Sequence, residues 1–361
     1  MSGSWTLRHK RITAVLLVVL MTITAAFCMG GCTAGSDNAG SSGGAAPGTI
    51  VSETDSELTV VDQAGREVTV SKDIQSIALC YSVVIRFLLN LGQGDKITGI
   101  GKSEPFLEEL QPSLKECADV GKGVADIEAL AALEPDLFIH KASDVETLEA
   151  VSKIGIPSVG IEVETPEDML VAVKLLGIVC GVESKADELA AYYEKAVGGL
   201  GELAASIPDQ DKKTAIVMGS SIGKVADGSM LQGRMLETAG AINSASDLKA
   251  TELWPTAGTE QIFSWDPDYI FITGGASYTA EDIYSDDSWS ELKAVRDRHV
   301  YVMPAKEDSW EFPGIVSVLG IEYMMNTMYK DLLPDDKLDS DVQEFYEMAY
   351  GRTYSRSQLG Y

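Results

Sequence analysis

Two α/β halves separated by one long helix are the fold that the sequence predicts, and three observations predict it. Residues 128–139 read EALAALEPDLFI and residues 260–271 read EQIFSWDPDYIF, so a glutamate stands seven residues ahead of a Pro-Asp pair in both. The apolar positions before each proline have helical spacing, and the runs Leu137–Ile139 and Tyr269–Ile272 have strand character. Each copy therefore reads as helix, turn and buried strand, and the second copy argues for two similar halves. Between them, ADELAAYYEKAVGGLGELAASI keeps a helical pattern for more than 20 residues, up to Pro208.

The elements follow in order. Arg8, Lys10 and Arg11 precede an apolar stretch from Ile12 to Phe27 that ends in small residues, the pattern of a secretory signal. As a membrane anchor the stretch is short, and Thr22, Thr24, Ala25 and Ala26 stand near its end. Cys32 follows at the end of MGGC. The next residues, a Gly/Ser/Ala tract without large apolar groups, bury too little to fold and are expected to form a tether over 32–54. LTVVDQAGREVTV (58–70) predicts a hairpin turning at Gln63-Ala64-Gly65. Strand-like runs recur at 76–80, 97–101, 137–140 and 157–162, separated by helical segments, the alternation of a parallel sheet. Thr165-Pro166-Glu167-Asp168 predicts a capped helix start, and Ser184-Lys185-Ala186-Asp187 predicts another. The α/β rhythm returns at 214–219, 269–273 and 299–304, and the tail from Leu319 is helical. The domain reading is a leader over 1–31, the tether, a first lobe over 55–182, a linking helix over 183–207, and a second lobe with helical tail over 208–361.

A chain of 361 residues that is 45% hydrophobic and 23% charged is large enough for two modest domains. Removal of residues 1–31 takes away three basic residues and no acidic one, which leaves a net charge of about −30 and excludes nucleic acid as a natural partner. Three cysteines remain beyond Cys32, so an exported chain has at most one disulfide. Cys80 ends an apolar strand and Cys180 lies on an apolar helix, where both serve as small buried hydrophobes.

Several segments together resemble one family. The hairpin, LGQGDKITGIG, the two Glu-Pro-Asp segments, GIPSVGIEVETPEDMLVAVKLLGIVCG, LKAVRDRHVYVMP and WEFPGIVSVLGIEYM are similar to the periplasmic-binding-protein family that serves ATP-driven importers of iron-siderophore and corrinoid complexes. Nearly all of the chain from Leu58 to about Asp335 takes part. The resemblance implies two Rossmann-like lobes joined by one long rigid helix, with the ligand cleft between them. It implies no enzymatic activity and no bound cofactor, the ligand being a chelated metal such as iron or cobalt: an iron-siderophore first, a corrinoid or haem next. It implies that Glu128 and Glu260 meet arginines of the permease, whose ATPase drives import, and that the protein works as a monomer. MGGC resembles the bacterial lipobox, which implies cleavage before Cys32, lipid on its sulfur and attachment to the extracytoplasmic face of the membrane. The chain departs from relatives after 76–80, where YSVVIRFLLNLG replaces a Pro-Ser-x-Thr-Glu sequence, so no contact is carried over for that loop.

Other readings compete. GSSIG (219–223) fits a nucleophile elbow, and Ser221, Asp268 and His299 stand in the chain order of an α/β-hydrolase. A receptor for a free metal ion needs three or more His and carboxylate ligands, and beyond the leader only His140 and His299 are available as histidines. His140 ends a strand at the expected cleft edge, suited either to an axial contact with a chelated metal or to a structural role. Trp254 and Trp310 fall in loops where a cleft rim is expected, with Tyr81 in the matching place of the first lobe; ligand-binding and core roles are both open to them. Arginine is scarce near the cleft, Arg86 and Arg234 alone, which favours a neutral or weakly charged chelate or a corrinoid over a strongly anionic siderophore.

Overall fold

The computed structural model describes residues 45–248 and 253–361. The leader and Cys32 lie outside the described residues. Strands β1 (Ile50–Glu53), β2 (Glu57–Val61) and β3 (Glu67–Ser71) form an antiparallel meander, with Leu58 opposite Val70 and Val60 opposite Val68 as the hairpin sequence predicts. β1 corrects the expected tether. Ile50 and Val51 extend the chain as a strand on the open edge of β2, so the stretch 50–53 is sheet and not linker.

The first lobe is built on β4 (Ile77–Leu79), β5 (Ile97–Ile100), β6 (Ala118–Asp119), β7 (Leu137–Lys141) and β8 (Ser158–Ile161), parallel throughout in the order β6-β5-β4-β7-β8. Helices α1 (Val84–Asn90), α2 (Pro105–Leu110), α3 (Ile127–Leu133), α4 (Val145–Lys153) and α5 (Pro166–Cys180) connect or flank the strands. Such strands, covered on both faces, are apolar along their length, and all three residues of β4 and all four of β8 are buried. The meander is docked on this sheet by Asp62, which accepts from the Gly160 amide (2.9 Å), and by Arg66, which donates to the Ser158 carbonyl (2.7 Å).

Thr165 caps α5 as predicted, its hydroxyl accepting from the Asp168 amide, and Gly181 closes the helix in the left-handed conformation. The linking helix α6 then runs from Glu183 to Ala205. Its N-cap is Val182, with no side-chain hydrogen bond, and Ser184 lies inside the first turn, so the predicted Ser184 cap is not formed. The Gly181 turn delivers the chain straight into α6 and leaves no extended residue at Ser184. α6 packs on α5 and also on α7 (Leu231–Thr238) and α11 (Ser317–Met328).

The second lobe holds β9 (Thr214–Met218), β10 (Ile242–Asn243), β11 (Tyr269–Ile272) and β12 (Val300–Val302), again parallel, in the order β10-β9-β11-β12. With them come α8 (Thr259–Trp265), α9 (Ala280–Ser285) and α10 (Lys293–Arg296); α12 (Asp335–Tyr350) and α13 (Arg356–Leu359) complete the helical tail. One buried apolar cluster runs from Ile77 and Val159 of the first sheet through Leu189 and Tyr193 of α6 to Val217 and Phe271 of the second sheet.

The repeated Glu-Pro-Asp segment now has a physical account. α3 and α8 are both seven residues long, and each ends in a non-glycine residue in the left-handed region, Glu134 (φ 49°) and Asp266 (φ 39°), directly before the proline. The aspartate that follows straps its own strand to the neighbouring one. Asp136 accepts from the Gln75 and Ser76 amides (2.8 Å each) and from the Ser76 hydroxyl (2.9 Å), and its own amide donates back to that hydroxyl. Asp268 accepts from the Thr214 amide (2.8 Å) and hydroxyl (3.1 Å), and its amide returns a bond to the same oxygen. Hydrogen bonds hold both carboxyls below their usual range although burial works against them. Asp136→Ala and Asp268→Ala are each expected to cost about 1–3 kcal/mol in urea denaturation, because strand-edge amides lose a charged acceptor; a parent-like midpoint in either variant contradicts the strap.

Candidate functional site

In parallel sheets the loops at the carboxyl ends of the strands build the site. Here the loops of both lobes meet at Arg86. Its side chain, rooted in α1 and buried, donates from Nε to Asp308 Oδ1 in the loop after β12 (2.9 Å) and from both terminal nitrogens to Glu104 in the loop after β5. The guanidinium also lies 5.4 Å from the centre of the Phe312 ring. Arg234 of α7 bonds Glu167 of α5 at 2.9 Å. Both arginines expected near the cleft are thus already paired with carboxylates, and the Arg86–Asp308 and Arg234–Glu167 pairs join the two lobes. Asp308 and Glu104 could not be assigned this role from sequence, because no local pattern marks partners 222 and 18 residues away.

Tyr81 follows β4 and is half-buried; Lys141, paired with Glu164 at 2.7 Å, stands 5.8 Å from its ring centre. Burial, with Glu164 and Glu162 nearby, pushes the Tyr81 hydroxyl far above its ordinary pKa, so it is a neutral donor and acceptor. Ser82, Lys102, Ser103, Glu104 and Lys122 gather beside it around a hollow of about 240 Å³. On the second lobe, Trp254 (φ 57°) is half-buried and lays its ring on Gly219 at the end of β9, so close that a Cβ on Gly219 would stand 2.7 Å from the indole. Ile222, Leu253 and Phe312 leave 45%, 51% and 39% of their surface exposed at these loops. Phe312 was missed by sequence reasoning; its position next to Pro313 in a loop after a strand was the available signal.

Two expected ligand contacts are corrected. Trp310 lies in the expected loop, but its surface is 0% exposed and its indole N–H donates to the Tyr346 hydroxyl (3.0 Å), with the Tyr361 ring 4.8 Å away. The helical tail covers it, so it is core and not rim. His140 is 2% exposed, stacks on Phe138 and shares a hydrogen bond from Nε2 with Asp144, the N-cap of α4 (3.0 Å). It fastens a strand end to a helix start beneath the surface. Glu128 and Glu260 are exposed and occupy the second position of α3 and α8, in identical register.

The hydrolase triad is not assembled. Ser221 follows the carboxyl end of β9 in a turn that leads to a β-bridge at Val225 rather than a helix. Asp268 sits at the opposite end of the same sheet, bound to Thr214, and His299 accompanies it there, with Nδ1 3.2 Å from the Asp268 carbonyl oxygen. The five residues of β9, about 16 Å, separate them from Ser221. Among the described residues no group of three His, Cys, Asp or Glu is arranged to hold a metal ion, and Cys80, Cys117 and Cys180 are free. Cys80 and Cys180 are buried, and burial pushes their thiols up to about 12 and about 11.

Two Rossmann-like lobes, a linking helix packed on both and a cleft floored by paired charges define a solute-binding protein. Residues 77–307 match the family described as periplasmic binding protein, and the chain belongs to that family. It is 24% identical to the molybdate-binding protein MolA of Haemophilus influenzae over 82% of this chain and 91% of that one. It is 25% identical to the ABC transporter substrate-binding lipoprotein YvrC of Bacillus subtilis, over 76% and 86% of the two chains. A periplasmic solute binding protein from Veillonella parvula superposes with a TM-score of 0.72 at 26% identity, over 84% and 95% of the chains. The protein is accordingly a substrate-binding protein of an ABC importer and not an enzyme.

One further group in the cleft floor titrates in an accessible range. Glu311 accepts from the Gly274 amide (2.7 Å) through Oε1, while Oε2 has no hydrogen-bond partner, and burial pushes the carboxyl up to about 7. Between the ordinary glutamate pKa and about 7, the folded chain holds a proton that the unfolded chain has lost, so stability falls as pH rises through that window. Denaturation at about pH 5 and about pH 8 is expected to show the parent losing about 1–3 kcal/mol more than Glu311→Gln. Equal losses would show that Glu311 is not the group responsible.

Proposed function

We propose that the cleft captures a metal chelate of low net charge, an iron-siderophore in first place and a corrinoid or haem in second, and delivers it to the permease. The observation that carries this reading is the exposed apolar surface of Phe312, Ile222 and Leu253 beside the half-buried Trp254 at the loops of the second lobe, with Arg86 and Arg234 already engaged by carboxylates. Broad, partly apolar ligands are held by such faces together with a few polar groups, whereas a polyanionic ligand is gripped by free guanidinium groups. A second reading has its own support. The likeness to MolA and the presence of Lys102 and Lys122 with Ser82 and Ser103 around one hollow suit a small oxyanion.

Titration of the purified protein with ferric chelates, corrinoids, haem and molybdate, followed by tryptophan fluorescence, separates the two readings. The chelate reading expects Trp254→Ala to weaken chelate binding by about 1–3 kcal/mol, the usual range for a buried aromatic anchor. Tight molybdate binding that depends on Lys102 and Lys122, with no chelate response, would replace it.

The remaining assignments rest on the family resemblance and the lipobox-like MGGC. We propose that Cys32 carries the lipid that holds the protein at the extracytoplasmic face of the membrane, which the mass of the native N-terminal peptide reports. Glu128 and Glu260, matched in register at the starts of α3 and α8, are proposed to dock on the permease. Glu128→Lys with Glu260→Lys is expected to abolish uptake while ligand affinity stays within about twofold, since exposed rim charges set association rather than fit. A large loss of ligand affinity would instead place these glutamates at the ligand.

A further inference from the structure

A second hollow, of about 550 Å³, lies between the linking helix α6, helix α11 and the start of α12. Its wall is mostly apolar, with Leu200 and Leu203 from α6 facing Leu332 and Leu333 from the turn before α12. None of the cleft residues described above takes part in it. One polar group stands out in this wall. Glu322 of α11 is 5% exposed, and its Oε2 has no hydrogen-bond partner. A buried polar atom left unsatisfied forfeits its hydration without compensation, a loss that a donor placed in the hollow would recover. Neither cation of the lining, Lys195 or Lys337, supplies it, and Lys337 is committed to both carboxylate oxygens of Asp341, which with Glu344 also borders the hollow.

On the α6 side an exposed glycine widens the hollow. Gly199 lines the hollow in the interior of a 23-residue helix, and a Cβ built on it would meet nothing within 4 Å. Glycine is a poorer helix former than alanine at such a position, and no close approach of a neighbouring group accounts for it. What the missing side chain leaves is open space in the wall. We infer that this hollow is a second binding site, for a molecule with an apolar body and a single amine, the ammonium group being received by the Glu322 carboxylate and the body by the leucines. The volume falls within the range of small-molecule pockets, and the chemistry does not depend on which solute fills the cleft.

The test uses 4-phenylbutylamine and its uncharged counterpart 4-phenylbutanol, titrated calorimetrically into the folded protein at about pH 8.5. That pH lies above the value of about 8 to which burial raises Glu322 and below the ordinary pKa of an alkylamine, about 10. The amine is expected to bind at least about tenfold more tightly than the alcohol, the difference that a charge-assisted hydrogen bond provides. In Glu322→Gln that preference should vanish. In Gly199→Leu, a change that favours the helix and projects into open space, both probes should lose affinity by about tenfold or more while the thermal midpoint is kept or raised. Absence of saturable binding by either probe, an amine preference that survives Glu322→Gln, or binding that survives Gly199→Leu would each overturn the assignment.

Discussion

The two sheets of this protein share one interior on their inner faces, and each has a smaller apolar cluster of its own on the other face. A single apolar cluster passes from the inner face of one sheet through α5, α6, α7 and α11 to the inner face of the other, and much of the rest of the structure depends on that continuity. Opening the lobes widely would expose leucine, valine and tyrosine side chains that are now buried, at about 25 cal/mol for each Å². Such a cost opposes wide opening of the lobes. The linking helix adds resistance of its own, because bending it breaks its hydrogen-bond ladder. Leu189 and Tyr193 in its first half and Leu200 and Ala204 in its second anchor it in the core, while Gly198, Gly199 and Gly201 have nothing packed where a side chain would be.

Charge is arranged to reinforce the same geometry at the cleft floor. Arg86 is taken out of water and must be answered on all sides, which Asp308 and Glu104 do from opposite lobes. Removing one partner of such a buried arrangement leaves an uncompensated charge, so its contribution is to specify one relation between the lobes more than to add stability. The exposed Arg234–Glu167 pair lies between the same lobes but contributes little by comparison.

Much of the architecture was legible in the sequence because it is written in short-range patterns. Alternating strands and helices, the Thr165 cap and the length of α6 depend on neighbours within a few residues, and the structure follows them. The exceptions have local causes of their own: the glycine turn at Gly181 overrides the cap signature at Ser184, and β1 forms because β2 offers it an edge. The site was less legible. Trp254 and Trp310 look alike in sequence, each in a loop beyond a strand, and only the tail that folds back over Trp310 shows that Trp310 is core. His140 could not be separated from a ligand contact until Asp144 was seen to claim its ring, and the pairing of Arg86 with Asp308 spans most of the chain.

The doubled aspartate strap has a consequence for how such a protein diversifies. Both lobes use it at the amino-terminal edge of the sheet, where Asp136 holds Ser76 and Asp268 holds Thr214. At the carboxyl-terminal edge the lobes have nothing in common: one continues through Tyr81 into a helix, the other turns at Gly219–Gly223 and pairs back on itself. The straps are thus kept at the opposite end of the strands from the candidate binding loops. Loops can be exchanged there without loosening the straps, so this framework can acquire a new solute as long as the Arg86–Asp308 and His140–Asp144 contacts at the loop end are kept.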